Sequence, residues 1–492
     1  MKIKTLSKHI LIALAYMILG TLIVLSTLAV KQLQNRPDLS AWHMVELENQ
    51  YTADRQDIVT FTDYLALEEE LFAELNHNIF VDKADPNWRK LGRFSHGSLS
   101  DPNNNDINWN KSFELKPDKP VAKAVLLHGL SDSPYSLRQL ALTLHQQNVW
   151  VVVIRLPGHG TSPAGLVTAT WQDFAAATRL AVQHVTNQHQ DLPFYMVGYS
   201  NGAALAIEYS LSVLAGEQGV LPNKLLVLSP EIAITPIAKY AVWQSRLGFI
   251  MGLEKLDWNS IQFEYDPYKY NSFAVNAGEQ SFLITQYIQQ QIAKLNLDGK
   301  GIQGFPDLLA FQSVVDSTVV NQALVDNLFK QLALGEHELV LFDLNRRAEV
   351  EDFLKSDHTE ITTVLWDRKP RNFAVSLLSN KDQTSTQLAI FNKTSLSTQI
   401  HQTDTELVWP NGIFSLSHLA LPIPFNDPLY GGIIEHDEDK LHLGLVELRG
   451  ESHILSIPQS QLTRLRFNPF YSYFEQKALS FLQLTPIANE TP

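Results

Sequence analysis

The hydrophobic pattern of the chain changes at residue 121, where short apolar runs begin to alternate with longer segments of helical periodicity. Runs that are apolar at nearly every position are typical of parallel strands buried on both faces. Strands are predicted at 122–127, 149–156, 194–199, 224–228, 307–312 and 337–342. Helices are predicted between them, near 134–147, 170–187, 201–216 and 321–334. This alternation predicts an α/β fold with a mostly parallel sheet and flanking helices.

The residues before this region carry other patterns. Apolar and aromatic side chains recur at helical spacing through 61–80, which predicts a packing helix within a stalk and N-terminal helix region at 31–90. Two β-like runs, at 91–96 and 109–115, flank a loop rich in Asn, Asp and Ser. These runs predict a β-hairpin at the start of the core.

The segment 10–30 is uncharged and mostly apolar, and three lysines precede it. At about 1.5 Å per residue, a helix of this length just spans a hydrocarbon core of roughly 30 Å. A cleaved signal peptide with a weak site at 27–29 is the alternative, although its apolar core is normally shorter. We therefore expect a transmembrane anchor. The positive charges before it place residues 1–9 inside and the remaining chain in the periplasm or outside the cell.

Two long interruptions divide the α/β pattern. Residues 235–304 are rich in Trp, Tyr and Phe and follow a strand, so we interpret them as a lid. Residues 345–415 contain two further β-like runs, at 373–378 and 387–391, and are interpreted as a smaller insertion of unknown role. The α/β core would then comprise 91–344, with the lid inside it, and 416–492.

Composition narrows the classes of function for this chain of 492 residues. The net charge of −14 argues against a nucleic-acid partner, which requires a basic surface. The absence of cysteine excludes disulfides, thiolate metal sites and a cysteine nucleophile. The acidic and histidine-containing stretch 436–442 matches no zinc or calcium motif, and neither a dinucleotide fingerprint nor a phosphate loop occurs. We expect no cofactor and no metal.

The pentapeptide 198–202 reads Gly-Tyr-Ser-Asn-Gly and lies between a predicted strand and a predicted helix. This is the pattern of a nucleophile elbow, in which flanking glycines allow a strained turn that raises a serine hydroxyl above a sheet. Ser200 is therefore the candidate nucleophile.

A serine nucleophile needs a histidine base and a carboxylate that orients it, in the chain order Ser, acid, His. Asp316, at the end of an apolar run, is the first candidate for the acid, with Asp343 and Glu231 as alternatives at other strand ends. His418, in a loop with apolar neighbours, is the first candidate for the base, and His453 is the alternative.

An oxyanion formed during acyl transfer needs two preorganised N–H donors. The backbone N–H of Asn201, directly after Ser200, supplies one by its position. The loop after the first parallel strand reads His128-Gly129-Leu130, and its glycine allows close approach of the backbone. Leu130 is the candidate for the second donor, and His128 is interpreted as structural because it precedes Ser200.

Three motifs in this order make the chain similar to a known family. The chain resembles the α/β-hydrolases of the monoacylglycerol lipase and serine aminopeptidase-like group over roughly 120–320. The motifs are Leu-His-Gly-Leu at 127–130, Arg-Leu-Pro-Gly-His-Gly-Thr-Ser-Pro at 155–163, and the elbow at 198–202.

The resemblance implies that Ser200 is the nucleophile, Asp316 the acid, and Leu130 and Asn201 the oxyanion donors. It implies no catalytic role for His159. One departure from the family is that 102 positions separate Asp316 from His418, whereas the family histidine usually follows soon after the acid.

Together these observations predict a membrane-anchored serine hydrolase that cleaves carboxylic esters. The aromatic lid and the anchor favour a lipid-like or small apolar ester. A peptidase or amidase of the same fold, and an anchored binding protein without catalysis, are the alternatives.

Overall fold

The computed structural model describes residues 34–80, 91–233, 253–316, 321–346, 360–433, 440–444 and 463–484, together with 9, 12–21, 24, 27, 31, 319 and 448–449. A single sheet of ten strands organises this part of the chain, in the spatial order β1-β3-β2-β4-β5-β8-β9-β10-β11-β12. Its strands are β1 Phe113–Leu115, β2 Ala122–Leu127, β3 Val149–Ile154, β4 Phe194–Tyr199, β5 Lys224–Leu228, β8 Asp307–Ser313, β9 Glu338–Phe342, β10 Ala374–Asn380, β11 Gln387–Lys393 and β12 His401–Val408.

The neighbouring strands from β3 to β10 are parallel, whereas β1, β11 and β12 are antiparallel additions at the two edges. Two short strands, β6 Trp258–Ser260 and β7 Phe273–Ala274, form a separate antiparallel pair. The α/β fold with a mostly parallel sheet, predicted from the alternating pattern, is confirmed.

Helices cover both faces of the sheet. Besides the helical residues 12–21, the described helices are α1 Ala41–Met44, α2 Phe61–Asn78, α3 Arg138–Gln146, α4 Gly165–Thr168, α5 Trp171–Thr186, α6 Asn201–Leu214, α7 Val275–Leu295, α8 Asn321–Asn327, α9 Thr363–Trp366 and α10 Tyr471–Phe481. Short 3₁₀ turns lie at Pro102–Asn104, Pro134–Leu137, Glu254–Asp257, Phe329–Gln331 and His418–Ala420.

Alternate residues of each central strand enter different cores, because successive side chains of a strand point to opposite faces. Val125 and Leu127 of β2 pack with residues of α5, α6 and α7. Ala124 and Leu126 pack on the other face with residues of α3 and α10. Every residue of β2 is buried, Lys123 included, which explains why the run is apolar at nearly every position.

The prediction of a β-hairpin formed by 91–96 and 109–115 is wrong. Residues 91–96 form turns, and β1 pairs with β3 instead. The side chain of Arg93 is buried and donates to Gly160 O at 2.9 Å and to Asn110 Oδ1 at 3.2 Å. Tertiary contacts of one buried guanidinium therefore hold this segment in place of a strand ladder.

The segment 345–415, interpreted as an insertion, supplies β10, β11 and β12 to the central sheet. β10 pairs in parallel with β9, and β11 and β12 follow as antiparallel neighbours. The described part of the segment therefore widens the sheet and carries the chain from β9 to the loop that contains His418.

The predicted transmembrane segment 10–30 lies only partly within the described residues, of which 12–21 are helical. Among the residues that the structure describes, no helix combines the length and apolar character needed to cross a membrane. The transmembrane helix predicted from the sequence is thus not supported by the described part of the fold.

Candidate active site

Ser200 lies between the last residue of β4 and the first residue of α6. Its φ of 55° and ψ of −117° place a non-glycine residue in a strained region of backbone space. A Cβ at Gly198 would lie 2.4 Å from Ala203 Cα, and one at Gly202 would lie 2.1 Å from Leu127 O. Both glycines are therefore required by close backbone approach, and the strand, turn and helix have the shape of a nucleophile elbow.

Asp316 and His418 meet in space although 102 positions separate them. Asp316 follows β8, and His418 opens the 3₁₀ turn after β12. The distance between His418 Nδ1 and Asp316 Oδ2 is 2.7 Å, and Gln312 Nε2 donates to the same carboxylate oxygen at 3.0 Å. Both side chains are almost fully buried, so the pair is held in a fixed geometry.

The imidazole of His418 lies beside the nucleophile elbow, with its ring centroid 5.3 Å from that of Tyr199. Burial alone would lower the pKa of His418, but the charge of Asp316 and the hydrogen bond to it more than offset this effect and raise the pKa. A histidine whose Nδ1 is held by a carboxylate presents Nε2 as the nitrogen that exchanges a proton.

The two alternative acids lie in different surroundings. Asp343 contacts Arg346 Nε at 2.6 Å and accepts from Ser379 Oγ at 2.6 Å, so it belongs to a separate ion pair. Glu231 is buried near the elbow, where its backbone N–H donates to Ser200 O at 3.4 Å. Burial raises the pKa of the Glu231 carboxyl to about 7.

The backbone N–H of Leu130 lies in the loop after β2, and that of Asn201 belongs to the first residue of α6, directly after Ser200. Neither of them donates to another described group. Gly129 is needed here, because a Cβ on it would lie 2.9 Å from Asp132 Oδ2 and 3.0 Å from the Tyr199 ring. Both N–H groups thus lack another acceptor among the described residues, and their role as oxyanion donors stays a prediction.

A lysine braces the loop that contains Leu130. Lys269 Nζ contacts Asp132 Oδ1 at 2.7 Å and Ser131 Oγ at 3.3 Å. The next backbone N–H, of Tyr270, donates to Ser131 O at 2.8 Å. Sequence reasoning did not find this brace, because its two sides lie 137 positions apart and neither carries a local motif.

The remaining histidine candidates are structural or outside the described residues. His128 Nε2 accepts from Leu156 N at 3.0 Å and its Nδ1 contacts Gly129 O, so both ring nitrogens are occupied. His159 is fully buried against Phe174. His453 lies outside the described residues, as does most of the acidic stretch 436–442. No cluster placed to hold a metal ion occurs among the described residues.

A cavity of about 270 Å³ adjoins the elbow and the histidine turn, since Tyr199 and Leu419 line it. Its wall is mainly aromatic and polar. Five more tyrosines contribute to it, together with two acidic and two basic side chains: Tyr135, Tyr265, Tyr268, Tyr270, Tyr430, Asp132, Asp266, Lys269 and Arg466.

Ser200 and Asp316 follow β4 and β8, two parallel strands of one sheet, so both lie at the carboxyl edge of that sheet. An elbow serine and an Asp–His pair at this edge define a serine hydrolase of the α/β-hydrolase fold. The protein family described as "Serine aminopeptidase, S33" matches residues 118–343. The resemblance to this group of α/β-hydrolases is confirmed, and the chain is an enzyme of the serine hydrolase class.

Solved structures of lipolytic enzymes are similar to parts of the chain. One, described among the metagenome-derived lipolytic enzymes LipS and LipT, has 17% identity and a TM-score of 0.37, and covers 48% of this chain and 88% of its own. The monoacylglycerol lipase of Paleococcus ferrophilus has 16% identity and a TM-score of 0.36, with coverages of 47% and 88%. A soluble variant of the monoglyceride lipase of Saccharomyces cerevisiae has 11% identity and a TM-score of 0.36, with coverages of 47% and 82%. No curated protein matches the chain.

Proposed function

We propose that this protein is a membrane-anchored serine hydrolase that cleaves carboxylic esters, with Ser200, His418 and Asp316 as its catalytic triad. The observation that carries the proposal is the 2.7 Å contact between His418 Nδ1 and Asp316 Oδ2 beside the Tyr199 ring. It supplies an oriented base next to a serine held at a strained elbow.

In the proposed reaction, Ser200 Oγ attacks the ester carbonyl carbon while His418 Nε2 takes the hydroxyl proton. The carbonyl oxygen becomes an oxyanion that accepts from the N–H groups of Leu130 and Asn201. Collapse of this intermediate breaks the bond to the alcohol oxygen, which receives the proton from His418. Water, activated by the same imidazole, then releases the carboxylic acid and restores the Ser200 hydroxyl.

Membrane anchoring by residues 10–30 is part of the proposal. Within this segment, the described helical residues 12–21 carry apolar side chains that are exposed, such as Met17 at 62% and Ile18 at 60%. Exposed side chains of this kind fit a hydrocarbon environment better than water. The orientation proposed has the N-terminus inside and the hydrolytic domain in the periplasm or outside the cell.

A fluorophosphonate probe tests the nucleophile, because it labels an activated serine covalently. We expect the wild type to be labelled and Ser200→Ala to be unlabelled. Ser229→Ala is a matched control, since it removes another buried hydroxyl at the end of β5 and should leave the labelling unchanged. Absence of labelling in a folded wild type would refute the hydrolase and support the binding protein without catalysis.

The base is tested by two single substitutions. His418→Ala should reduce ester hydrolysis by about 10³-fold or more, whereas His453→Ala should have little effect. The opposite result would transfer the role of base to His453.

A peptidase is the second candidate, because the matching family is described as serine aminopeptidase. Hydrolysis of 4-nitrophenyl esters is to be compared with that of aminoacyl 4-nitroanilides at equal enzyme concentration. We expect kcat/KM to be higher for the esters, and a preference for the anilides would establish the peptidase instead.

A further inference from the structure

The wall of the cavity beside the elbow contains hydrogen-bond donors that lack acceptors among the described residues. Asp266, one of its two carboxylates, already has donors: Oδ1 accepts from Tyr430 Oη at 2.5 Å and from the backbone N–H groups of Tyr268 and Lys269 at 3.1 Å. The other carboxylate, Asp132, is paired with Lys269 at 2.7 Å. Asp132 is therefore compensated by a close lysine, whereas the charged partner of Asp266 is Arg466, at 3.4 Å.

The guanidinium of Arg466 is bonded less closely than the ammonium of Lys269. Its side chain is 11% exposed. One terminal nitrogen lies 3.4 Å from Asp266 Oδ2 and the other lies 3.4 Å from Tyr265 Oη, both at the long limit of a hydrogen bond. Its Nε–H has no acceptor among the described residues. A buried cation so weakly bonded is costly unless another acceptor is supplied.

Two further donors line the same cavity. Asn271 Oδ1 accepts from the backbone N–H groups of Tyr265 and Asp266, which fixes the amide so that its Nδ2 is the free end. Within the described part of the chain, neither Asn271 Nδ2 nor the Tyr265 hydroxyl proton has an acceptor. Both side chains line the cavity with Arg466.

We propose that this cavity binds a carboxylate of the substrate, so that the ester cleaved at Ser200 carries an acidic substituent. The inference rests on the proposed function and adds the substrate class. A carboxylate supplies several acceptor sites and matches the planar donors of a guanidinium, and hydrogen bonds between charged groups are the strongest available. A long alkyl chain would instead leave the buried Nε–H of Arg466 without an acceptor.

This substrate class differs from the apolar ester that the sequence favoured. Large aromatic residues in the lid region indicated an apolar pocket. In the described part of that region, however, the tyrosines use their hydroxyls in polar contacts, such as Tyr270 Oη with Gly158 O at 3.0 Å. The wall is aromatic and polar together, and Arg466 comes from a distant part of the chain.

Matched pairs of substrates test the proposal on each side of the ester. On the acyl side, mono-4-nitrophenyl glutarate is compared with 4-nitrophenyl pentanoate, which has the same chain length and no carboxylate. On the alcohol side, 4-acetoxybenzoate is compared with 4-methylphenyl acetate. We expect the wild type to prefer the acidic member of one pair by about 10-fold or more in kcat/KM.

In Arg466→Met, the ratio of kcat/KM for the acidic ester to kcat/KM for the neutral ester should fall to about one. The kcat/KM for the neutral ester should change by less than about threefold. Arg55→Met is the control for loss of an arginine charge, because Arg55 pairs with Asp57 at the surface. Tyr265→Phe removes only a hydroxyl and should lower kcat/KM for the acidic ester by about 3- to 10-fold. If Arg466→Met does not fold, Tyr265→Phe still tests whether the cavity binds a carboxylate.

Equal rates of the wild type on both members of both pairs would overturn the carboxylate site. So would an unchanged preference in Arg466→Met or in Tyr265→Phe. If the proposed hydrolase function is wrong, the result is different, because the wild type would then cleave no ester and would not be labelled by fluorophosphonate.

Discussion

Replacement of Glu231 by glutamine should change how the stability of the protein depends on pH. Glu231 is 5% exposed, follows β5, and has one carboxylate oxygen, Oε2, without a hydrogen-bond partner in the described structure. Burial raises the pKa of its carboxyl from the usual 4.5 to about 7. Glutamine has nearly the same shape and does not titrate in this range, so Glu231→Gln removes the titration while keeping the volume.

The sign of the effect follows from proton linkage. Between pH 4.5 and about 7, the folded protein keeps the proton on Glu231 whereas the unfolded chain has lost it. The free energy of unfolding of the wild type therefore falls as the pH rises through this range. At about 1.36 kcal/mol per pH unit, the displacement of the pKa from 4.5 to about 7 corresponds to roughly 3 kcal/mol.

Urea denaturation of both proteins at pH 4, 5, 6, 7 and 8, followed by circular dichroism, measures this effect. The quantity of interest is the stability of Glu231→Gln minus that of the wild type, since titrating groups that do not interact with Glu231 then cancel. We expect it to rise by roughly 3 kcal/mol from pH 4 to pH 8. A difference that stays constant over this range would refute the reasoning, whatever its absolute value.

Two other predictions concern the site. Asp316→Asn should lower kcat by about 10³- to 10⁴-fold. Because His418 then loses the charge that raises its pKa, the acid limb of the profile of kcat/KM against pH should move to lower pH, and an unmoved limb would contradict the pairing. Gly202→Ala should destabilise the protein by about 3 kcal/mol or more in urea denaturation, since its Cβ would lie 2.1 Å from Leu127 O. Gly278→Ala in α7, where the nearest atom would lie 3.7 Å away, is its control and should be neutral or slightly stabilising.

The central sheet could be predicted from the sequence because its signal is local. Strands buried on both faces produce uninterrupted apolar runs, and the predicted bounds of β2, β4 and β5 agree with those observed. The hairpin at 91–96 could not be excluded in the same way. Its β-like pattern is overridden by the buried contacts of Arg93, one of whose acceptors, Gly160 O, lies 67 positions away.

The elbow has a local signal in the sequence, whereas the position of the proposed catalytic histidine depends on long-range contacts. Gly198 and Gly202 lie two positions from Ser200, so the close backbone approach that requires them leaves a mark in the sequence. His418 is 102 positions from Asp316, and β10, β11 and β12 intervene. Nothing in the residues around a histidine records which carboxylate it will contact, and the choice of His418 stayed open beside His453.

The sequence by itself determined the α/β fold, the mostly parallel sheet and the serine at its elbow, because periodicity and glycine spacing act over a few residues. Only the tertiary structure decided that His418 contacts Asp316, that Lys269 braces the loop of Leu130, and that Arg466 lies under-bonded in a cavity beside Tyr199. These contacts join positions more than a hundred residues apart. Their energies depend on burial and on competing partners, and neither is defined until the sheet has brought the loops together.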